Sequence, residues 1–456
     1  MTASFTFTLV FAAALCAGLL IKFWLATRQV RHVARHRGAV PAPFSPAITL
    51  EAHQKAASYT IAKARFGLLE LAWGTVLLLG WTLLGGLDLL NRTLLTVWGG
   101  GMVQQLALLA AFALIGGLLE LPFKLYRTFR LEARFGFNKM TRGLWLADTL
   151  KSMLVGALIG LPIAALILWL MSAAGSFWWA WAWVAWVAFS LLLMVIYPTF
   201  VAPLFNKFQP LADESLKARV TALMQRCGFA AKGLFVMDGS TRSAHANAYF
   251  TGFGASKRVV FYDTLLGQLN AGEVEAVLAH ELGHFKHRHI IKRLVTMFAL
   301  SLVGFALLGW LSAQTWFYTG LGVQPNLTAG SPNDAMALLL FMSTVPLFVF
   351  FIAPLSARVS RRNEFEADAY AVAQTSGTDL STALLKLYTD PASTLTPDPV
   401  FVKFYYSHPP RRGAPRTHGP RMRAVPCQAR ARRSAEPMSS PVRRPPHPLI
   451  PTRVHP

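Results

Sequence analysis

The sequence predicts an all-α membrane protein with about seven transmembrane helices, and three observations support this fold class. Of the 456 residues, 54% are hydrophobic and only 14% are charged, whereas a soluble domain usually carries about a quarter charged residues. Seven apolar segments come close to the roughly 20 residues that are needed to span the hydrocarbon of a bilayer. Lysine and arginine are concentrated in alternate loops between these segments.

The predicted spans, together with the charges between them, also predict an orientation. The spans lie near residues 5–26, 68–90, 101–121, 153–173, 177–200, 294–313 and 335–355. The first has no basic segment before its apolar core and no clear cleavage site, so it is interpreted as a retained helix. The loops that follow the first and third spans are rich in lysine and arginine, whereas 174–176 and 314–334 contain neither. The positive-inside rule then predicts an outer N-terminus and a cytosolic C-terminus.

The net charge of +23 would normally suggest nucleic acid as a partner. Here the basic residues are found in juxtamembrane loops and in a C-terminal tail, where anionic membrane lipids are the expected partner. We therefore expect membrane lipids and no nucleic acid. The 3 cysteines are far apart, which indicates neither a disulfide framework nor a cysteine-based metal site.

Composition divides the chain into five predicted regions. Residues 201–292 predict a cytosolic region with a polar helix, two strand-like runs (GLFVMDG and KRVVFYDTLL) and a further helix. The two runs predict a small β-hairpin or ribbon, and Asn270 and Glu273 predict a capping box at the start of the last helix. Residues 411–456 are rich in arginine and proline and are predicted to be disordered. The five regions are 1–200 with spans 1–5, 201–292, 293–356 with spans 6–7, 357–410 and 411–456.

The stretch VLAHELGHFKHRH contains the pattern H-E-x-x-H. On a helix His280 and His284 share one face, so both imidazoles can bind one zinc ion. Glu281 lies beside them and can accept a proton from the attacking water. His287 lies too far along the helix, about 10 Å from His280, to complete one tetrahedral site. We interpret His287 and His289 as polar groups at the helix end and not as ligands.

A catalytic zinc site needs a third protein ligand, and RRNEFEADAYA is the first acidic cluster after the last span. Glu364 and Asp368 share one helix face. Glu364 is therefore the candidate third ligand, and Asp368 is a candidate partner for the second nitrogen of a ligand imidazole. Glu366 points to another face and fits a solvated helix in which it pairs with Arg361 or Arg362.

These motifs resemble the type I CAAX prenyl proteases, which are integral-membrane gluzincin zinc metalloproteases. The resemblance runs from about residue 60 to 410 and rests on five stretches: RFGFNKMT, RSAHANAYFTGFGASKRVVFYDTLL, HELGHFKHRH, SRRNEFEADAYA and YYSHPP. It implies that the spans surround an internal chamber, with a small cytosolic helix and β-hairpin metalloprotease region at one end. The family continues past His-Pro-Pro with an amphipathic helix, whereas this chain has an Arg- and Pro-rich end, so we interpret it as a bacterial-type member with an atypical C-terminus.

The resemblance also implies a role for each site residue and one Zn²⁺ per chain. His280, His284 and Glu364 are implied as zinc ligands, and Glu281 as the general base. The remaining implied residues are Asn247 and Tyr249 for substrate binding and His408 for the developing oxyanion. The 411–456 tail is expected to contribute no catalytic group.

The predicted function is peptide-bond hydrolysis by a membrane-integral zinc metalloendopeptidase of the CAAX prenyl protease kind. Its substrate is expected to be a peptide or protein that is lipidated or membrane-embedded, and its location a bacterial inner membrane with the active site towards the cytosol. One alternative is a quality-control metalloprotease that degrades membrane proteins. A second alternative is a transporter or channel, which should carry several ionisable residues in its spans; the predicted spans carry very few.

Overall fold

The computed structural model describes residues 1–229, 233–251, 258–326, 332–389 and 394–408. Within these residues, 7 helical stretches are long and apolar enough to cross a membrane. This number confirms the predicted fold class. The stretches are Ala3–His36, Leu50–Trp81, Met102–Phe135, Arg142–Ala173, Gly175–Phe205, His289–Ser312 and Asp334–Gln374. The predicted tail at 411–456 lies outside the described residues.

The elements follow one another along the chain as a long helical part, a short mixed part and a second helical part. The helices before the sheet are α1 (Ala3–His36), α2 (Leu50–Trp81), α3 (Gly86–Trp98), α4 (Met102–Tyr126), α5 (Ala133–Phe135), α6 (Arg142–Ala173), α7 (Trp178–Ile196) and α8 (Ala202–Phe205). The mixed part consists of β1 (Phe208–Pro210), α9 (Glu214–Arg226), β2 (Gly233–Met237), β3 (Ala248–Thr251), β4 (Arg258–Tyr262), α10 (Asp263–Gln268) and α11 (Ala271–Lys286). The last helices are α12 (His289–Ser312), α13 (Thr315–Thr319), α14 (Asp334–Val349), α15 (Ala353–Gln374), α16 (Gly377–Thr389) and α17 (Pro399–Tyr405).

The second predicted span, at 68–90, is interrupted in the structure. Helix α2 ends at Trp81, and α3 begins at Gly86. Gly85 has a φ of 75°, a left-handed conformation that costs glycine little because it has no Cβ. A Cβ at Gly86 would lie 2.5 Å from the carbonyl oxygen of Gly80. The two glycines therefore allow the chain to turn where hydropathy alone predicts one continuous helix.

The strands form one sheet in the order β1-β2-β4-β3. The predicted hairpin of the two strand-like runs is wrong, because the antiparallel partner of β4 is β3, with Ala248 opposite Phe261. The two strand-like runs recognised in the sequence, now β2 and β4, are instead parallel neighbours. Strand β3 lies at the edge of the sheet, so one side of its backbone is not paired within it.

The two larger of three apolar cores in the described residues support these parts. In the mixed part, α9, α11 and α16 pack on the sheet around buried Leu223, Phe261 and Leu282. A second core joins α1, α6, α12, α13 and α14 around Phe11 and Leu168. The last span continues through a short 3₁₀ turn, Phe350–Ile352, directly into α15. This continuation brings the acidic cluster of α15 against α11, where the candidate site lies.

Candidate active site

Helix α11 begins with the predicted capping box. The Asn270 side chain accepts a hydrogen bond from the Glu273 N–H at 2.9 Å, and the Glu273 carboxylate accepts one from the Asn270 N–H at 2.8 Å. Lys386 of α16 donates to the same carboxylate at 2.8 Å. These contacts satisfy helix-terminal donors that would otherwise lack partners. They fix the start of the helix that carries H-E-x-x-H.

Helices α11 and α15 pack closely beside the two motif histidines. A Cβ added at Gly283 would lie 2.9 Å from the Ala367 Cα and 3.0 Å from the Ala367 carbonyl oxygen. Real Cβ atoms do not approach backbone this closely, so glycine is required at the crossing point. The crossing brings His280 and His284 opposite Glu364, although Glu364 is distant in the sequence.

The ligand atoms of His280, His284 and Glu364 lie within 4.8 Å of one another. His280 Nε2 is 3.4 Å from Glu364 Oε2, and His284 Nε2 is 3.6 Å from Glu364 Oε1. The buried Glu364 Oε2 lies within 3.4 Å of a histidine nitrogen, yet it has no hydrogen bond of good geometry among the described residues. Two imidazole nitrogens and a carboxylate that converge in this way match the donor set of a catalytic metal site. The structure thus brings together the three side chains that the sequence nominated as ligands.

Asp368 orients one of the candidate ligands. The Nδ1–H of His280 donates to Asp368 Oδ1 at 2.9 Å, which directs Nε2 towards Glu364. Burial opposes a charge on His280, yet the carboxylates of Asp368 and Glu364 outweigh burial and raise the pKa of His280 to about 9. A histidine held in this orientation presents its Nε2 lone pair to a metal once its proton is lost.

His284 is held by a second chain of contacts that sequence reasoning missed. Its Nδ1 lies 3.0 Å from Nδ1 of His289, and His289 Nε2 lies 3.1 Å from Glu366 Oε2. Because the Glu366 carboxylate only accepts, neutral His289 carries its proton on Nε2 and accepts from the Nδ1–H of His284. Arg362 completes the chain by donating to Glu366 at 3.1 Å.

The turn between α11 and α12 explains how His289 reaches this position. Arg288 has a φ of 55°, in the left-handed region that non-glycine residues rarely adopt. The turn leads His289 back towards α11, where it is buried. The interpretation of His289 as a polar group at the helix end was incomplete, because it assumed a straight continuation. The predicted pairing of Glu366 with Arg362 is present.

Glu281 lines a cavity that His280 and Glu364 also line. It is not one of the three side chains whose ligand atoms converge. Burial raises the pKa of its carboxyl group, although His280 and His284 act in the opposite direction. A carboxylate with a raised pKa is a better proton acceptor near neutral pH than an ordinary glutamate. Its environment therefore suits a general base.

His408 reaches the cavity from α17. Its Nε2 is 3.2 Å from Glu364 Oε2, and its Nδ1 is 2.9 Å from the Ser407 hydroxyl. The cavity has a volume of about 160 Å³ and is also lined by Asn247. One cavity is thus lined by two of the candidate ligands, His280 and Glu364, and by Glu281, Asn247 and His408.

The two candidate substrate-binding residues differ in their positions. The Asn247 carbonyl accepts from the Tyr262 N–H at 3.0 Å, and its side chain lines the cavity immediately before edge strand β3. Tyr249 is not among the described residues that line this cavity. Its ring contacts the Tyr262 ring with centroids 6.2 Å apart, and burial raises the pKa of the Tyr249 hydroxyl to about 12. The geometry places Asn247 beside the ligands and Tyr249 beside another tyrosine.

An ion pair that sequence reasoning missed anchors the segment before Asn247. Arg242 donates to both carboxylate oxygens of Asp148, at 2.9 and 3.3 Å. Asp148 lies on α6, so the pair ties the approach to β3 to a spanning helix. The His245 ring also stacks on Phe137, with centroids 5.1 Å apart. Asp148 lies before the predicted span at 153–173, so hydropathy gave no signal for this contact.

Comparisons with known proteins cover most of the chain. Residues 29–207 match a family model described as CAAX prenyl protease N-terminal, five membrane helices, and residues 210–413 match Peptidase family M48. A CAAX prenyl protease 1 homolog from Arabidopsis thaliana is 37% identical over 68% of this chain and 72% of its own length. One from Oryza sativa subsp. japonica is 32% identical, with coverages of 87% and 94%. The crystal structure of S. mikatae Ste24p is similar with a TM-score of 0.83 and 30% identity, covering 88% of this chain and 96% of that chain.

Proposed function

Since this chain belongs to the type I CAAX prenyl protease family and is a membrane zinc metalloprotease of Peptidase family M48, we propose that it hydrolyses peptide bonds near the lipidated ends of prenylated proteins. The observation that carries this proposal is the convergence of His280, His284 and Glu364 beside a cavity that Glu281 and His408 also line. The broader activity, metal-dependent peptide hydrolysis, follows from the family. The role of each residue and the choice of substrate are the proposal.

We assign one Zn²⁺ to the Nε2 atoms of His280 and His284 and to the carboxylate of Glu364. The set of two imidazoles and one carboxylate fits zinc, which binds three protein ligands in catalytic sites and keeps one position open. The buried Glu364 Oε2, which has no hydrogen bond from the described residues, supports this assignment. When bound, zinc polarises a carbonyl group and lowers the pKa of water towards 7.

Each of the other side chains has its own role in hydrolysis. Glu281 accepts a proton from the attacking water and can return it to the leaving amine, a role that its raised pKa supports. Asp368 keeps His280 in the tautomer whose Nε2 faces Glu364. His408 presents an imidazole N–H to the oxygen that becomes negative in the transition state. Asn247 is placed at the edge strand to hydrogen-bond the backbone of an extended substrate.

The cavity walls support a substrate with apolar side chains. The cavity is also lined by larger aliphatic side chains: Leu265, Val277, Leu380, Leu384 and Leu387. Apolar walls with a few convergent polar groups are typical of sites that bind hydrophobic ligands. They suit the aliphatic and lipidated ends of prenylated proteins, and they would also accept an unfolded membrane segment.

The chain is a multi-pass membrane protein. We propose that its active site faces the cytosol, as the positive-inside rule predicts from the loops, and that the membrane is a bacterial inner membrane. The same basic loops are expected to contact anionic lipids. Nucleic acid is not an expected partner.

A substrate comparison tests this proposal. The purified protein would be given a farnesylated peptide, the same peptide without its lipid, and a denatured membrane protein. We expect zinc-dependent cleavage of the farnesylated peptide with a kcat/KM at least about 10-fold above that of the unmodified peptide, since burial of prenyl carbons adds apolar binding energy. Equal cleavage of the two peptides, with faster degradation of the denatured protein, would instead favour quality control.

A further inference from the structure

The short helix α17 leads directly to His408 and is held at its beginning by α1. Asp398 caps α17 by accepting from the Val400 and Phe401 N–H groups, each at 3.0 Å. Arg28 donates to both oxygens of the same carboxylate, at 3.3 and 3.0 Å. Asp398 is buried, and a buried carboxylate with a bidentate arginine partner is a strong, directional contact. The beginning of α17 is thereby fixed to the first spanning helix.

The other end of α17 is held by Arg361 of α15. Its Nη1 donates to the Tyr406 carbonyl at 2.6 Å and to the Val402 carbonyl at 3.2 Å, and its Nη2 donates to the Lys403 carbonyl at 3.3 Å. The last carbonyls of a helix have no partners within the helix. The planar fork of a guanidinium can bond several of them at once. Arg361 therefore caps α17 from outside, instead of pairing with Glu366.

The position of Arg361 connects two parts of the candidate site. It lies three residues before Glu364 on α15, and its acceptor Tyr406 lies two residues before His408. The His408 side chain is 66% exposed, so packing does little to fix it. Its distance of 3.2 Å from Glu364 Oε2 then depends on where the end of α17 is held. Arg361 therefore connects α15, which carries Glu364, to the segment that carries His408.

We propose that Arg361 is a positioning residue for hydrolysis: by capping α17 it holds His408 over the metal-binding cavity, with Arg28 fixing the opposite end of the same helix. The proposal rests on the proposed role of His408 as the oxyanion donor. Arg361 acts on the rate through His408 alone and takes no part in binding the metal. Removing it should lower kcat while leaving zinc content and KM nearly unchanged.

The test is a double-mutant cycle on the purified, zinc-loaded, full-length protein, using whichever substrate of the comparison above is cleaved faster. Arg361→Gln, His408→Ala and the double variant would be compared with Arg358→Gln, a control at an exposed arginine on the same helix. We expect Arg361→Gln to lower kcat on the order of 10- to 100-fold, the cost of a displaced catalytic group. In the His408→Ala background it should lower kcat by less than about twofold, because the displaced group is already absent.

Two further variants separate positioning from a general loss of structure. Arg361→Lys should recover part of the rate, since an ammonium can donate to these carbonyls but lacks the fork. Arg28→Gln, at the other end of α17, should also lower kcat without loss of zinc, and it replaces Arg361→Gln if that variant does not fold. Equal losses of kcat in both backgrounds, or loss of zinc with Arg361→Gln, would overturn the proposal. An unchanged kcat in His408→Ala would instead refute the role assigned to His408, and the positioning role with it.

Discussion

The candidate metal-binding cluster (His280, His284 and Glu364) and His408 meet at Glu364 but are held in different ways. The side chains of His280, His284 and Glu364 are only 13%, 19% and 9% exposed, whereas that of His408 is 66% exposed. The cluster lies between two closely packed helices, and each histidine is oriented by a further side chain. His408 is positioned mainly through contacts to the backbone of α17, the helix that precedes it.

With the proposed residue roles, this difference means that metal binding and turnover depend on separate parts of the protein. The contacts between α11 and α15 organise the ligands before any metal arrives, and such preorganisation reduces the cost of binding. His408 contributes an imidazole that affects the reaction only when charge develops on the substrate. Changes in the cluster should therefore alter metal affinity, and changes around α17 should alter rate alone.

The largest effect is expected from removing the third ligand. Glu364→Ala should abolish stoichiometric zinc and with it activity, because two histidines alone hold zinc far more weakly than three ligands. Glu366→Ala is the matched control on the same helix. The substitution removes the partner of His289. It should lower the affinity for zinc by about 10-fold or less, the smallest effect expected when a residue that orients a metal ligand is lost. Metal analysis after dialysis measures both, and equal loss would show that the wrong carboxylate was assigned.

The next effect is a pH dependence of zinc binding. The carboxylates of Asp368 and Glu364 outweigh burial and raise the pKa of His280 to about 9, so at lower pH a proton competes with zinc for the ring. The apparent zinc affinity should rise as the pH increases towards this value, by about 10-fold per pH unit for one displaced proton. Competition with a chelator at several pH values below 9 measures the slope. A flat profile would contradict the proposed link between His280, Asp368 and the metal.

The smallest effect is expected at the C-terminus. Truncation after Pro410 should change kcat/KM by less than about twofold, because the Arg- and Pro-rich sequence that follows opposes a packed structure. Limited proteolysis should remove the same segment first. Loss of activity on truncation would mean that residues after Pro410 also help to position His408.

Features that depend on local patterns could be predicted from the sequence. Hydropathy indicated seven spans, the Asn270 and Glu273 pair indicated the start of α11, and helical spacing indicated that Glu364 and Asp368 share a face. Each depends on residues a few positions apart, where helix geometry is fixed. Glu364 could be named as the candidate third ligand because the two intervening spans return the chain to the same side.

Features that depend on tertiary contacts could not be predicted in this way. The break at Gly85 requires a backbone conformation that hydropathy does not encode, and the sheet order requires pairing between distant strands. His289 reaches His284 only because Arg288 adopts a left-handed turn. Arg361 was expected to pair with a nearby acid, yet its partners are carbonyl groups some 40 residues later. Nothing in the spacing of charges distinguishes that outcome from an ordinary surface ion pair.

The central claim is that Glu281 is the proton acceptor in a site that three other side chains build, and Glu281→Gln tests it most directly. The amide keeps the size of the carboxylate but cannot accept the proton of the attacking water. Zinc content and peptidase activity would be measured on the same preparations of wild type and variant. We predict one zinc ion per chain in both and a loss of turnover of about 100-fold or more in the variant. Turnover near that of the wild type, with zinc retained, would contradict the account.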